Sequence, residues 1–161
     1  MIRTANVADE GAIAKCVSSA FDNFGEVTLI QQLAADGDKL IELLFEESGT
    51  VLGYVMISKL RLHKAPQLRC GAVAPLAVCP DHQRRGIGST LMREVILTSR
   101  GLGLDVLCLL GDPRFYKTFG FRKSHPSSDY NPKHFQHLEL TDGYLRDIQA
   151  KAIYAPEFSV L

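Results

Sequence analysis

A mixed α/β sheet folded as one domain is the architecture this sequence predicts, on three observations. Branched apolar runs at Leu40 to Phe45 and Val51 to Leu62 are joined across "EESGT", which reads as a hairpin turn with antiparallel pairing. A third run, Cys70 to Val78, is followed by a helical pattern and a fourth run, Asp105 to Leu110; that strand–helix–strand order suggests local parallel pairing. The chain of 161 residues has the length of one domain with one core, and it carries no internal repeat or linker. Helices first, then a hairpin, then a crossover give a sheet of mixed sense with helices packed on it.

"MIRT" is a short strand, after which residues 7–21 place Ala8, Ala12, Ile13, Cys16, Val17, Ala20 and Phe21 on one helical face. Asn6 is the N-cap of that helix and Asp9, three residues on, completes a capping box. A shorter helix fits Glu26 to Ala35 and ends at "DGD". The helix inside the crossover turns Ile87, Leu91, Met92, Val95 and Ile96 inward, with Gly101 as its C-cap. Phe135 to Leu140 and Ile148 to Tyr154 read as late strands, separated from the rest by the polar loop "SHPSSDYNPK". Those strands either complete the sheet or pair across a homodimer, since both solutions cover exposed edges.

Composition narrows the function classes. Lys and Arg number 18 and Asp and Glu number 18, so no whole-protein charge draws the chain to nucleic acid or an anionic membrane. Recognition must therefore be local. The N-terminus has no basic region followed by an apolar stretch, and no apolar run approaches the ~20 residues of a membrane span, which gives a cytoplasmic reading. Cys16, Cys70, Cys79 and Cys108 form no C-x-x-C and the five histidines lack zinc-ligand spacing, so reduced thiols and no metal are expected. Cys16 and Cys108 belong to apolar patterns, whereas Cys79 lies beside a glycine loop.

That loop is the first functional signal. In "APLAVCPDHQRRGIGSTL" an apolar strand stops at a proline, a basic patch follows, and a helix starts on two glycines. A helix N-terminus leaves backbone N–H groups without partners and carries partial positive charge, which suits a phosphate. Gly86 and Gly88 permit close backbone approach, while Arg84, Arg85 and Ser89 can add charge and hydrogen bonds. The same stretch also reads as a tight strand-to-helix turn with solvated arginines. A Walker loop is excluded because G-x-x-x-x-G-K-[ST] is absent, and the dinucleotide fingerprint because Leu91 stands at its third glycine.

A second stretch, "VLCLLGDPRFYKTFGFR" at Val106 to Arg122, brings the pieces together. An apolar strand, Q-x-x-G-x-G opening a helix, another apolar strand, and a tyrosine shortly before Gly120-Phe121 resemble the GNAT superfamily of acyl-CoA-dependent N-acetyltransferases. "GDPRFYKTFGF", the late "F-x-x-L-x-L" and "IYAPEF" are more specifically similar to its YhbS-like branch.

The resemblance implies a mostly antiparallel central sheet flanked by helices, with a splayed parallel strand pair at the acyl-CoA site. It implies acetyl-CoA as co-substrate and a small-molecule or peptide amine as acceptor. It further implies that the backbone of Leu76, Ala77 and Val78 pairs with the pantetheine arm, that Gln83, Arg84, Arg85, Gly86, Ile87, Gly88 and Ser89 hold the pyrophosphate, and that Tyr116 is the general acid. A phenol with an unperturbed pKa of about 10 stays protonated at neutral pH and can donate to a departing thiolate. The other reading of Tyr116 is packing between Phe115 and Phe119, with Phe119 and Phe121 in the core.

Two departures from the family pattern stand out. Leu109 occupies a position, seven residues before the tyrosine, where many members have an asparagine on the pantetheine; Asp112 either replaces that contact or caps the helix starting at Pro113. The strand from Cys70 to Val78 has no acidic residue to serve as base, which leaves Glu26, His63, Asp81, His82 or ordered water. The missing base sustains a second hypothesis, a GNAT-like module that binds acyl-CoA without turning it over. A third, covalent catalysis through Cys79, needs His82 beside it and a sulfur facing the thioester. Acceptor specificity is assigned to Asp22 to Ala35, His63 to Leu68 and Ser124 to His134.

Overall fold

The structure, a computed structural model, describes residues 1–123, 128, 134–141 and 151–161. Its centre is one sheet whose strands run β1 (Ile2–Thr4), β2 (Lys39–Glu47), β3 (Thr50–His63), β4 (Cys70–Val78), β5 (Val106–Leu110) and β6 (Phe135–Glu139) from edge to edge. A seventh strand, β7 (Lys151–Tyr154), pairs with the far half of β3. Every pairing is antiparallel except β4 with β5. The mixed sheet expected from the sequence is thus present, and both late strands are paired inside the chain. Residues 148–150 of the last expected strand, and the loop at 124–133 apart from Ser128, lie outside the described residues.

Helices cover the two faces. α1 (Glu10–Phe21) and α2 (Gly25–Ala35) pack on one, where Ile13, Val17, Leu29 and Leu33 join Leu44, Tyr54, Met56, Ala72 and Cys108 in a core. α3 (Ile87–Gly101) packs on the other, where Leu91, Met92 and Val95 join Val55, Ile57, Val73, Leu107 and Leu109. Alternation along each strand feeds both cores, as a sheet buried on two faces requires.

The Asn6 capping box forms, but it opens a single 3-10 turn at Val7–Asp9 that then runs into α1; the Asp9 carboxylate accepts the Asn6 N–H and is clamped by Arg3 at 2.8 Å. The Arg3 guanidinium holds that carboxyl down at about 2. Gly101 is not the C-cap of α3. The helix runs through it, Leu102 caps, and Gly103 takes the left-handed φ of 76°.

Gly53 on β3 sets how near α3 comes. A Cβ there would lie 2.8 Å from Ile87 Cγ2 and 2.9 Å from Leu91 Cδ1, so the first turn of α3 rests directly on strand backbone. We expect Gly53→Ala to destabilise the fold by about 1–3 kcal/mol through overpacking, measured by denaturant unfolding. An unchanged midpoint would show that the helix simply moves away.

No described helix is long and apolar enough to cross a membrane.

Candidate active site

The parallel pair β4–β5 holds for only three residue pairs, Cys70 with Val106, Gly71 with Leu107 and Ala72 with Cys108. Beyond them β5 stays with β6 as far as Leu110, while β4 stays with β3, and a wedge opens between the two strands. A bulge helps to divert β4: Leu76 faces Val55 and Val73 faces Ile57, so Ala74 and Pro75 together stand opposite Met56. Pro75 has no N–H for a ladder, which makes it suited to that irregular position.

The end of β4 presents backbone to the wedge. Cys79 N–H donates to Leu52 O at 2.9 Å, so antiparallel alternation turns the N–H and C=O of Val78 away from β3. The Val78 carbonyl accepts a hydrogen bond from Gln83 Nε2 at 3.1 Å, which ties the glycine loop to the strand. The Val78 N–H is left facing the gap.

The loop then turns through two left-handed residues, Arg84 (φ 61°) and Gly86 (φ 82°), before α3 begins. Thr90 is the first residue of the helix whose N–H finds a carbonyl, that of Gly86 at 3.0 Å. The amides from Arg84 to Ser89 meet no backbone carbonyl among the described residues and gather at the positive end of a fifteen-residue helix. Donors gathered in this way are suited to an anion. Gly88 lies where the helix passes between β4 and the segment before Tyr116, its missing Cβ 3.6 Å from Val78 and 3.8 Å from Phe115.

The two arginines differ in their surroundings. Arg84 is exposed, whereas Arg85 meets His82 Nδ1 at 2.7 Å and Glu47 at 3.2 Å. An exposed ion pair of this kind contributes only about 0.2–1 kcal/mol, so an incoming anion can compete for it. Ile87 is buried under the helix and Ser89 is half-buried.

Tyr116 ends α4 (Pro113–Tyr116), a single turn. Asp112 is its N-cap: the carboxylate accepts the Arg114 N–H at 2.9 Å and pairs with the Arg114 side chain at 2.9 Å, which lowers the Asp112 pKa. Of the two roles expected for Asp112, the structure shows the cap. The Tyr116 ring lies edge-on to Phe115 (centroids 4.9 Å apart) and Phe121 (5.9 Å). Gly111 makes room for it, since a Cβ there would collide with the Tyr116 ring edge. Burial pushes the Tyr116 phenol up to about 12. Phe121 is core as expected, but Phe119 is only half-buried and sits at the rim under Arg93. Leu109 is sealed in the α3-side core, so its side chain points away from the cavity described next.

On the α1–α2 side the wedge opens into a cavity of about 300 Å³. Tyr116, Leu110 and Val73 to Leu76 form its inner wall; Phe21, Glu26, Leu29, Tyr154 and Phe158 form the outer one. Of the four side chains considered as base, only Glu26 lines this cavity. His63 lies by β7 in another, and Asp81 and His82 line a third with Cys16 and Cys79. Cys79 does not face Tyr116: its sulfur touches Cys16 Sγ at 2.9 Å and Val51 O at 3.5 Å, which removes the geometry that covalent catalysis needs. Sequence reasoning missed Gly111, Tyr154 and Phe158 as site residues. "GDP" next to the tyrosine motif was a readable signal for the first; the other two stand inside "IYAPEF", which marked the family branch but gave no sign that its rings face a cavity.

Comparison with known proteins agrees with this geometry. The model of the Acetyltransferase (GNAT) domain family matches residues 39–123, from β2 to just beyond Phe121. The Escherichia coli (strain K12) protein YjhQ, an uncharacterized N-acetyltransferase, is 27% identical over 119 residues; the match spans 71% of this chain and 65% of YjhQ. The crystal structure of the Escherichia coli GNAT family N-acetyltransferase YhbS in complex with CoA superposes with a TM-score of 0.92 at 25% identity, over 99% of this chain and 91% of that one. A GNAT family acetyltransferase from Brucella melitensis in complex with acetyl-CoA gives a TM-score of 0.84 at 29% identity, over 98% and 97%. With a wedge between β4 and β5, a glycine loop at its mouth, and a family model covering just over half of its residues, this chain belongs to the GNAT acetyltransferase family.

Proposed function

We propose that the protein transfers an acetyl group from acetyl-CoA to a primary amine by direct attack, and that the amides of Arg84 to Ser89 hold the pyrophosphate. The observation that carries this reading is the presence of three features along one wedge: an anion-suited helix end, a strand edge turned away from β3, and a phenol packed among rings. The residues fit the co-substrate. Leu76 to Val78 offer backbone to an amide-bearing arm, and the loop offers donors to a diphosphate without opposing side chains at Gly86 and Gly88. The CoA and acetyl-CoA complexes of the two structural relatives support the assignment.

Acetyl-CoA supplies an activated thioester, and the net transfer from a neutral amine forms one C–N bond, breaks one C–S bond and moves one proton from nitrogen to sulfur; an acceptor that enters as an ammonium first releases one further proton to solvent. The Val78 N–H is aimed into the gap, where it can stabilise negative charge developing on a carbonyl oxygen. Tyr116 keeps its proton at neutral pH because burial disfavours the phenolate, and it gives that proton to the leaving sulfur. Desolvation by the surrounding rings strengthens both interactions.

The test is calorimetric titration with acetyl-CoA, followed by a screen of primary amines read as free thiol release. Binding with turnover of one amine class is expected. Tight binding with no turnover across small amines, amino acids and peptides would replace this reading with a non-catalytic acyl-CoA-binding module.

A further inference from the structure

We infer that the cavity beneath the wedge takes a primary amine on an apolar, aromatic-sized body without a carboxylate, and that Glu26 binds its ammonium group. This rests on the transferase reading above, because it concerns the acceptor of that reaction. The cavity, about 300 Å³, is at the small end of ligand pockets, and rings of Phe21, Tyr116, Tyr154 and Phe158 line it. Such walls match a flat or branched hydrocarbon body and exclude a peptide-sized acceptor from full insertion.

Glu26 is the observation that gives the pocket a charge preference. It stands in the first turn of α2, and its Oε2 is buried with no hydrogen-bond partner among the described residues. A buried carboxylate oxygen without a donor is costly, and the positive end of α2 favours the charge without supplying that oxygen a hydrogen bond. An ammonium group repairs that defect with up to three donors and an opposite charge. Among the described residues, no Lys, Arg or His lines the cavity. An acceptor that carries its own carboxylate would therefore meet Glu26 as a like charge with no cation among the described lining residues to offset it. The position also suits the chemistry, since the same cavity holds the Tyr116 ring at its inner wall.

The experiment compares 2-phenylethylamine with phenylalanine, which adds only a carboxylate to the same body. Binding of each is measured by calorimetry in the presence of CoA, and acetylation by thiol release, for the native protein and for Glu26→Gln. The native protein should favour 2-phenylethylamine by at least about tenfold in both readouts. Glu26→Gln should weaken the amine by about 10–100-fold, the loss typical of a hydrogen bond to a charged group, and erase the discrimination against phenylalanine. Acetyl-CoA affinity should be unchanged in the variant, which also reports that it is folded.

Equal use of phenylalanine by the native protein, or undiminished amine affinity in Glu26→Gln, would overturn the inference even if other amines are acetylated. The native comparison stands alone should the variant fail to fold. Amine binding with the expected discrimination but no acetylation would uphold the pocket assignment and overturn the transferase reading instead.

Discussion

Gly88→Glu abolishes acetyl-CoA binding while the protein stays folded: this is the expected result of placing an anion where the pyrophosphate is to sit. The variant keeps its fold for a definite reason. Gly88 has no left-handed φ, the space around its missing Cβ is at ordinary contact distance, and an acidic residue in the first turn of a helix is favourable. The same carboxylate neutralises the helix end and repels a diphosphate at the amides it would use. Calorimetry should show no binding at acetyl-CoA concentrations that saturate the native protein, with the unfolding midpoint equal or raised. Retained affinity would mean that the anion seat lies elsewhere. Arg84→Ala is the milder companion, expected to weaken acetyl-CoA but not pantetheine, which has no pyrophosphate.

Tyr116→Phe is expected to leave acetyl-CoA affinity nearly unchanged and to slow acetyl transfer on the order of 10²–10⁴-fold, the usual loss for a positioned general acid. The ring contacts with Phe115 and Phe121 survive the change, so only the hydroxyl is tested. Single-turnover measurement of the chemical step is the deciding quantity. The sign of the pH dependence follows from burial: with the phenol pushed up to about 12, the proton is present throughout the neutral and mildly alkaline range. Native activity should therefore show no alkaline loss assignable to this group below about pH 10. A full rate in the Phe variant would assign the proton to water and leave Tyr116 as packing.

What was legible in the sequence was the part of the protein built from neighbours. β2, β3 and β4 announce themselves as branched apolar runs, and α3 through the 3.6-residue spacing of Ile87, Leu91, Met92, Val95 and Ile96, all of them buried. Helix ends were read less well, because a cap is decided by one φ: Gly101 and Gly103 are both plausible stops, and the left-handed turn falls on the second. The glycine loop and Tyr116 were readable since each sits within one short motif. The cavity beneath the wedge was legible only in part: of the segments read as setting specificity, Asp22 to Ala35 supplies Glu26 and Leu29, whereas His63 to Leu68 does not line it. It joins the end of α1, the start of α2, the bulge of β4 and the residues around β7, segments more than a hundred positions apart, and no local periodicity encodes their meeting. Glu26 could be named from the sequence only as one of four acids and imidazoles. That it lines one cavity with Tyr116 is a tertiary fact.

The two-faced core has a consequence for how such a chain can change over generations. The proposed donor seat is mounted on α3, above the core that includes Leu91, Met92 and Val95, while the outer wall of the proposed acceptor cavity is mounted on α1, α2 and the turn after β7, above the other core. Substitutions in separate packing units add nearly independently. On the proposed function, mutations at Phe21, Glu26, Leu29 or Phe158 therefore reshape what is acetylated without retuning the use of acetyl-CoA, and the sheet between the layers acts as a partition between two separately heritable traits. Tyr116, which packs against the α3-side core yet lines the acceptor cavity, is where that partition is breached, and it is the residue least free to drift.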